Sequence, residues 1–267
     1  MSNTEHTNKM KYFVCSDPHG FTSIMIKALT DAGFDRNNTE HKLIVCGDCW
    51  DRGNEPVEMY RYLKDLGDRF IFVRGNHEDL FFDAIKEYKE CDYVYSYHHK
   101  HNGTDETIYT LNNEGLLDEV ADWIQKKSIN FYETEHYIFV HGWVPFDSVY
   151  NDEYDEEARI TKTTMTFEVL ENWREDNDFW KDARWYNGME MWHKGIKIPG
   201  KTIVCGHYHC GYGNYYYHDE VSPKCSISDA DYQKVYLSDH PFIDDGIIAL
   251  DSCTVINKKV NVVVLED

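Results

Sequence analysis

The sequence predicts an α/β fold, a sandwich or doubly wound sheet in which strands and helices alternate. Three observations carry this. Short apolar runs at residues 12–16, 42–46 and 69–73 have the length and β-branched or aromatic content of buried strands. A helix-like stretch follows each, so that a strand–turn–helix unit recurs at about thirty residues. Each strand also ends in Asp, His or Asn, and the carboxyl ends of strands are where α/β proteins place their chemistry.

The first strand, Tyr12-Phe13-Val14-Cys15-Ser16, runs into Asp17-Pro18-His19-Gly20. One residue separates Asp17 from His19, which sends both side chains to one face of an extended segment. A helix is expected over residues 22–32, stopped by Gly33. The second strand delivers Cys46-Gly47-Asp48-Cys49-Trp50-Asp51-Arg52-Gly53, where two carboxylates and an arginine crowd one turn. By itself this motif also reads as a tight turn closed by an Asp–Arg ion pair. A second helix over residues 55–66 carries Pro56 in its first turn, and the third strand ends in Arg74-Gly75-Asn76-His77-Glu78.

Residues 79–127 read as mainly helical, with helices at 80–90 and 118–127. Between them His98, His99 and His101 suggest a metal site by composition, and a polar loop near an active-site mouth by context. Two strands with a turn near Glu135 close on His141-Gly142-Trp143. The acidic stretch 146–157 is expected to be a solvated loop or insertion, since it lacks the spaced ligands of an EF-hand. The tryptophan-rich stretch 179–192, including Arg184, reads as a helix and loop over the core. A further strand, 202–205, ends in Gly206-His207-Tyr208-His209. Residues 211–245 are tyrosine-rich and irregular. The runs 247–251 and 260–264 are expected to pair as an antiparallel hairpin around Asn257-Lys258-Lys259.

At 267 residues the chain suits one domain, here 1–267, with insertions or cap segments near 92–113, 146–200 and 211–245. There are 48 Asp and Glu against 27 Lys and Arg, a net charge of -21 that opposes stable binding to nucleic acid or an anionic membrane. The absence of a long apolar run and of an apolar leader points to a cytoplasmic protein. Among the eight cysteines, Cys15, Cys46, Cys205 and Cys253 lie in apolar runs as small hydrophobes. Cys46 and Cys49 form a C-x-x-C pattern with no second pair at ligand spacing, so it offers little support for a zinc knuckle or redox pair.

Asp17 and His19, Asp48, Asn76 and His77, His141, and His207 and His209 thus sit at five separate strand ends. Carboxylate, imidazole and amide ligands without thiolate suit Mn, Fe or Zn, and they are too many for one ion. In this order the motifs resemble those of the calcineurin-like metallophosphoesterase superfamily, whose fold is a sandwich of two mixed β-sheets flanked by helices. The Asp-Arg-Gly and Arg-Gly-Asn-His-Glu forms are similar to its phosphoprotein phosphatase branch, which includes bacterial and phage serine/threonine phosphatases and diadenosine tetraphosphatase-like enzymes.

That resemblance implies two metal ions. Asp17 and His19 would bind the first, Asp48 would bridge, and Asn76, His141 and His207 would bind the second. A bridging hydroxide would attack phosphorus, with His77 as general acid and Asp51 orienting its ring. Arg52 would grip the phosphoryl oxygens, with Asn76 and Arg184 also facing substrate. Gly206-His207-Tyr208-His209 departs from the Gly-His-Thr of the phosphoprotein phosphatase branch, which makes His209 a candidate extra ligand on the first metal. The implied activity is hydrolysis of phosphomonoesters, with phosphoserine and phosphothreonine among the candidates. Hydrolysis of dinucleoside polyphosphates and a noncatalytic binding role on the same fold are the alternatives. The substrate would be a phosphoprotein, nucleotide or small phosphoester.

Overall fold

The computed structural model describes residues 9–155, 159–218 and 235–267. Two five-stranded mixed sheets lie face to face with helices on their outer sides. In the first sheet β1 (Lys11–Cys15), β2 (His41–Cys46), β3 (Phe70–Val73) and β4 (Ser128–Ile129) run parallel, with β12 (Val263–Glu266) antiparallel on the β1 edge. In the second, β6 (Tyr137–Phe139), β9 (Thr202–Cys205) and β11 (Ile247–Ala249) run parallel between the antiparallel edges β5 (Tyr132–Glu133) and β10 (Phe242–Asp244).

The alternation within each strand builds two interfaces at once. Tyr12 and Val14 of β1, Ile44 and Cys46 of β2, and Val73 of β3 face Phe139, Val204 and Ile248 between the sheets. Their neighbours Phe13, Cys15, Leu43 and Val45 face the helices. Strands covered on both sides must be apolar at nearly every position, which is why they read as continuous hydrophobic runs. Each fully buried Val, Ile or Leu contributes about 1.5–3 kcal/mol.

Helices α1 (Thr22–Asp31), α2 (Pro56–Asp65), α3 (Asn76–Cys91), α5 (Thr104–Asn113) and α6 (Leu117–Lys127) cover the first sheet. Helices α7 (Phe179–Ala183) and α8 (Gly188–His193) cover the second, through Trp180, Ala183, Met189 and Met191. Cys46 packs between the sheets and Cys49 under the helices, both as free thiols, so the C-x-x-C spacing joins two different apolar layers. Among the described residues no helix is long and apolar enough to cross a membrane.

Four expectations are corrected. Residues 247–251 and 260–264 do not pair with each other: β11 joins β9 and β10 in the second sheet, whereas β12 crosses to β1 of the first. The buried β11 suits an interior place between β10 and β9, and the half-exposed β12 suits an edge. The acidic stretch is a strand, β7 (Phe146–Asp155), zipped to β8 (Ile160–Val169) from Phe146↔Val169 to Asp155↔Ile160; residues 156 and 157 lie outside the described residues. Charge counting concealed a period-two pattern in which Phe146 and Phe167 share one face and pack on the core, while Tyr150 and Met165 farther along stay exposed.

His98, His99 and His101 lie on a short helix, α4 (Tyr97–His101), rather than in a loop. Finally, α3 begins at Asn76, so Asn76 and His77 occupy its first turn. Of the tyrosine-rich 212–236, residues 219–234 lie outside the described residues; 210–218 are a short helix, α9 (Cys210–Gly213), continued as a π-helical turn over Asn214–His218.

Candidate metal centre

The carboxyl ends of β1, β2, β3, β6 and β9 meet at one edge of the sandwich, and they bring Asp17, His19, Asp48, Asn76, His77, His141 and His207 together. Asp48 is at the centre. Its Oδ2 lies 3.8 Å from His19 Nε2 and 3.9 Å from His77 Nε2, and its Oδ1 lies 3.3 Å from His141 Nε2. Two ligand groups result, His19–Asp48–His77 and Asp48–His141–His207, with ligand atoms in each within 4.8 Å of one another. Asp48 belongs to both.

The turns that deliver these side chains are strained. Asp17, His19, Asp48, Asp51, Arg52 and His207 all have positive φ, between 46° and 71°. Non-glycine residues avoid this region, and such strain concentrates where function demands a geometry. Gly75 and Gly206 allow the close approach: a Cβ on Gly75 would overlap Asp48 Oδ1, and one on Gly206 would overlap Asp17 Oδ2.

Backbone carbonyls fix which ring nitrogen is free. His19 Nδ1 donates to Trp50 O at 3.2 Å and His141 Nδ1 donates to Cys46 O at 2.7 Å, so each presents the Nε2 lone pair to the centre. His207 is reversed: its Nε2 donates to Trp185 O at 3.1 Å, leaving Nδ1 for the centre. His141 Nε2 faces Asn76 Oδ1 at 2.8 Å and Asp48 Oδ1 at 3.3 Å; burial opposes the charged ring, but Asp48 prevails and raises the His141 pKa, so without a cation this nitrogen holds a proton toward the carboxylate. Asp17 Oδ1 is buried, lies 3.9 Å from His19 Nε2 and has no hydrogen-bond partner among the described residues. Both clusters fit a cation, and their oxygen and imidazole donors suit a divalent metal without thiolate.

The electrostatics agree. Burial, with Asp251 and Asp48 nearby, pushes the Asp17 carboxyl well above the usual carboxylate range. Burial also acts to raise Asp48, but the imidazoles of His141 and His77 outweigh it and hold Asp48 well below that range. Burial keeps His19 well below its ordinary value and His207 down at about 3, so both rings are neutral, the form a metal takes.

A second constellation adjoins the first. His77 Nδ1 donates to Asp51 Oδ2 at 2.8 Å, and Thr104 Oγ1 donates to the same oxygen at 2.7 Å. Burial opposes the charged imidazole, but Asp48 and Asp51 prevail and raise the His77 pKa. Arg52 reaches His19 Nε2 at 3.2 Å and His77 Nε2 at 3.0 Å, and Asn102 Oδ1 accepts from Arg52 Nη2 at 3.1 Å.

The sequence model of the calcineurin-like phosphoesterases matches residues 10–232, most of the chain and all of these strand ends. The chain belongs to that family. That family normally works with a dinuclear metal centre, and the two ligand groups that share Asp48 are in keeping with it. Curated relatives include the symmetrical bis(5'-nucleosyl)-tetraphosphatase of Marinomonas sp., 25% identical over 51% of this chain and 45% of that protein. The protein of the same name from Nitrosomonas europaea is 25% identical over 73% of this chain and 69% of its own length. The chain thus spans less than half of the first relative and about two thirds of the second. The crystal structure of a cold-active protein-tyrosine phosphatase from a psychrophilic Shewanella superposes with a TM-score of 0.52 at 13% identity, covering 97% of this chain and 76% of that one, a likeness of fold.

Two expected site residues stand apart from the phosphoesterase centre. His209 Nε2 lies 3.7 Å from Asp251 Oδ2 and is not among the groups that converge on Asp48. The guanidinium of Arg184 is buried and occupied, donating to Asp79 Oδ2 at 2.6 Å and Asn130 Oδ1 at 2.9 Å. Sequence reasoning missed two others. Asp251 is buried just past β11 and acts on Asp17, and its place after a strand was the available signal. Glu78 accepts from Asp48 N at 3.0 Å, Cys49 N at 2.9 Å and Gly75 N at 2.7 Å, so it ties the β2 turn to the β3 turn. Burial beside Asp48 pushes Glu78 up to about 7.

Proposed function

We propose that this chain hydrolyses phosphoester or phosphoanhydride bonds at a dinuclear metal centre bridged by Asp48. The observation that carries the reading is the place of Asp48 in both ligand groups, directly beside the His77–Asp51 pair. Asp17, His19 and Asp48 would hold one ion, and Asp48, Asn76, His141 and His207 the other. When bound, the ions supply Lewis-acid stabilisation of the phosphoryl charge and activation of water. His77 delivers a proton from Nε2 to the leaving oxygen, because Asp51 holds Nδ1 and favours the imidazolium. Arg52 presents its two terminal nitrogens to the phosphoryl oxygens, while Asn102 orients the guanidinium. Arg184 acts through Asp79, which it holds near the first turn of α3.

Dinucleoside polyphosphates are the substrate class we favour, on the strength of the relatives named as symmetrical bis(5'-nucleosyl)-tetraphosphatases. Phosphoserine and phosphothreonine esters are the second reading, favoured by the Asp51-Arg52-Gly53 and Arg74-Gly75-Asn76-His77-Glu78 motifs. Mn²⁺-loaded protein assayed side by side on diadenosine tetraphosphate and a phosphoserine peptide separates the two. The nucleotide should be preferred by at least tenfold in kcat/KM; a comparable preference for the peptide would reverse the assignment.

A further inference from the structure

Among the described residues Trp185 is the one tryptophan of seven that neither belongs to nor packs against an apolar core; Trp50, Trp123, Trp143, Trp173, Trp180 and Trp192 all do. It is 45% exposed, a large apolar surface left in water beside the metal centre. Its position is nonetheless fixed. The Trp185 carbonyl accepts from His207 Nε2 at 3.1 Å, and the indole stands edge-on to the His207 ring, 5.7 Å away at 87°.

Across from it stands His98 of α4, exposed, with its ring centroid 6.3 Å from that of Trp185 at 38°. The α4 segment is anchored independently of Trp185. Asn102 accepts from Arg52, and the buried His99 lies 3.1 Å from Glu87 Oε1. Two planar side chains on separately anchored elements therefore lie next to each other beside His207.

We infer that Trp185 and His98 form a slot for the nucleobase of a nucleotide substrate, an inference that rests on the phosphohydrolase reading above. A ring stacked between two others needs a spacing of about 7 Å, twice the ~3.4 Å rise of stacked bases. At a centroid separation of 6.3 Å and a tilt of 38° the two rings touch each other, so admitting one planar group requires them to part and level. Trp185 meets the centre through His207, whose ring it contacts and whose Nε2 donates to its carbonyl, so a base stacked there would lie next to a candidate metal ligand.

Equilibrium titration of the Mn²⁺-saturated chain tests this without turnover. The probes are α,β-methylene-ADP and methylenediphosphonate, which differ by the nucleoside. Wild type should bind the nucleotide about 5- to 150-fold more tightly, the range of one base–aromatic stack. Trp185→Ala should bring the ratio close to one, Trp185→Phe should retain most of it, and His98→Ala should reduce it. A wild-type ratio near one, or a ratio unchanged in Trp185→Ala, overturns the slot. So does a Trp185-dependent preference for phosphotyrosine peptide without a preference for the nucleotide. Failure of the underlying reading shows separately, as no hydrolysis of any phosphoester or phosphoanhydride by the Mn²⁺-loaded chain, diadenosine tetraphosphate included.

Discussion

The His77 imidazole donates from Nδ1 to Asp51 Oδ2 at 2.8 Å, and both side chains are almost fully buried. Such a pair has one stable orientation, and Thr104 holds the carboxylate in it.

Asp51 is one of the groups that raise the His77 pKa, so Asp51→Asn should lower it. A proton donor with a lower pKa is lost at lower pH. The basic limb of the kcat/KM profile should therefore move to lower pH, with the rate reduced by about 10²-fold. A pH–rate profile on one ester checks both. An unmoved basic limb would remove Asp51 from its assigned role.

Arg184 distinguishes support from substrate binding. Its guanidinium is 5% exposed and meets Asp79 Oδ2 at 2.6 Å, so Arg184→Ala leaves that carboxylate with only the longer contact to Arg74 Nε at 3.8 Å. The expected cost is about 3 kcal/mol, read as a lowered urea midpoint. A direct phosphate clamp would instead raise KM with little change in stability.

A peripheral pair gives a pH-dependent stability. Glu133 accepts two bonds from Arg174, at 2.7 and 2.9 Å, and its carboxyl is lowered to about 2 by Arg174, against burial and with help from Lys201. A depressed carboxyl stabilises the fold above its unfolded pKa, about 4.3, and this is lost as pH falls through the folded value. Glu133→Gln should therefore be less stable than wild type at pH 7, by about 1 kcal/mol after solvent screening. Melting curves at stepped pH should show the gap closing between roughly pH 4.3 and 2. A gap that stays constant would assign the effect to packing, such as Arg174 over Trp173.

Metal removal should destabilise the fold. Asp17, Asp48 and Asp251 are buried close enough to perturb one another, and a cation relieves that repulsion. Saturating Mn²⁺ at a hundred times its Kd should add about 2.7 kcal/mol. Differential scanning calorimetry with Mn²⁺ and with EDTA reads this as a higher and a lower Tm. Identical melting under both conditions would count against ion binding at these carboxylates.

What was legible in the sequence was local. Asp17, His19, Asp48, Asn76, His77, His141 and His207 follow apolar runs closely enough for strand ends and ligands to be read together. Asn102 and Thr104 were not legible, because their contacts with Arg52 and Asp51 depend on how α4 and α5 pack about fifty residues along the chain. The destination of β12 was hidden for the same reason: nothing local tells residues 260–266 to cross to β1 rather than fold back on β11. His209 shows the converse. Its two-residue spacing from His207 matches that of Asp17 and His19, but α9 begins at Cys210 and the ring turns toward Asp251.

The central claim is that Asp48 joins two metal sites. Elemental analysis of the purified, Mn²⁺-loaded chain, together with Asp48→Asn, tests it most directly. Wild type should carry close to two ions per chain, and Asp48→Asn fewer than one, with turnover lost in parallel. Two ions retained by an active Asp48→Asn protein would contradict the account.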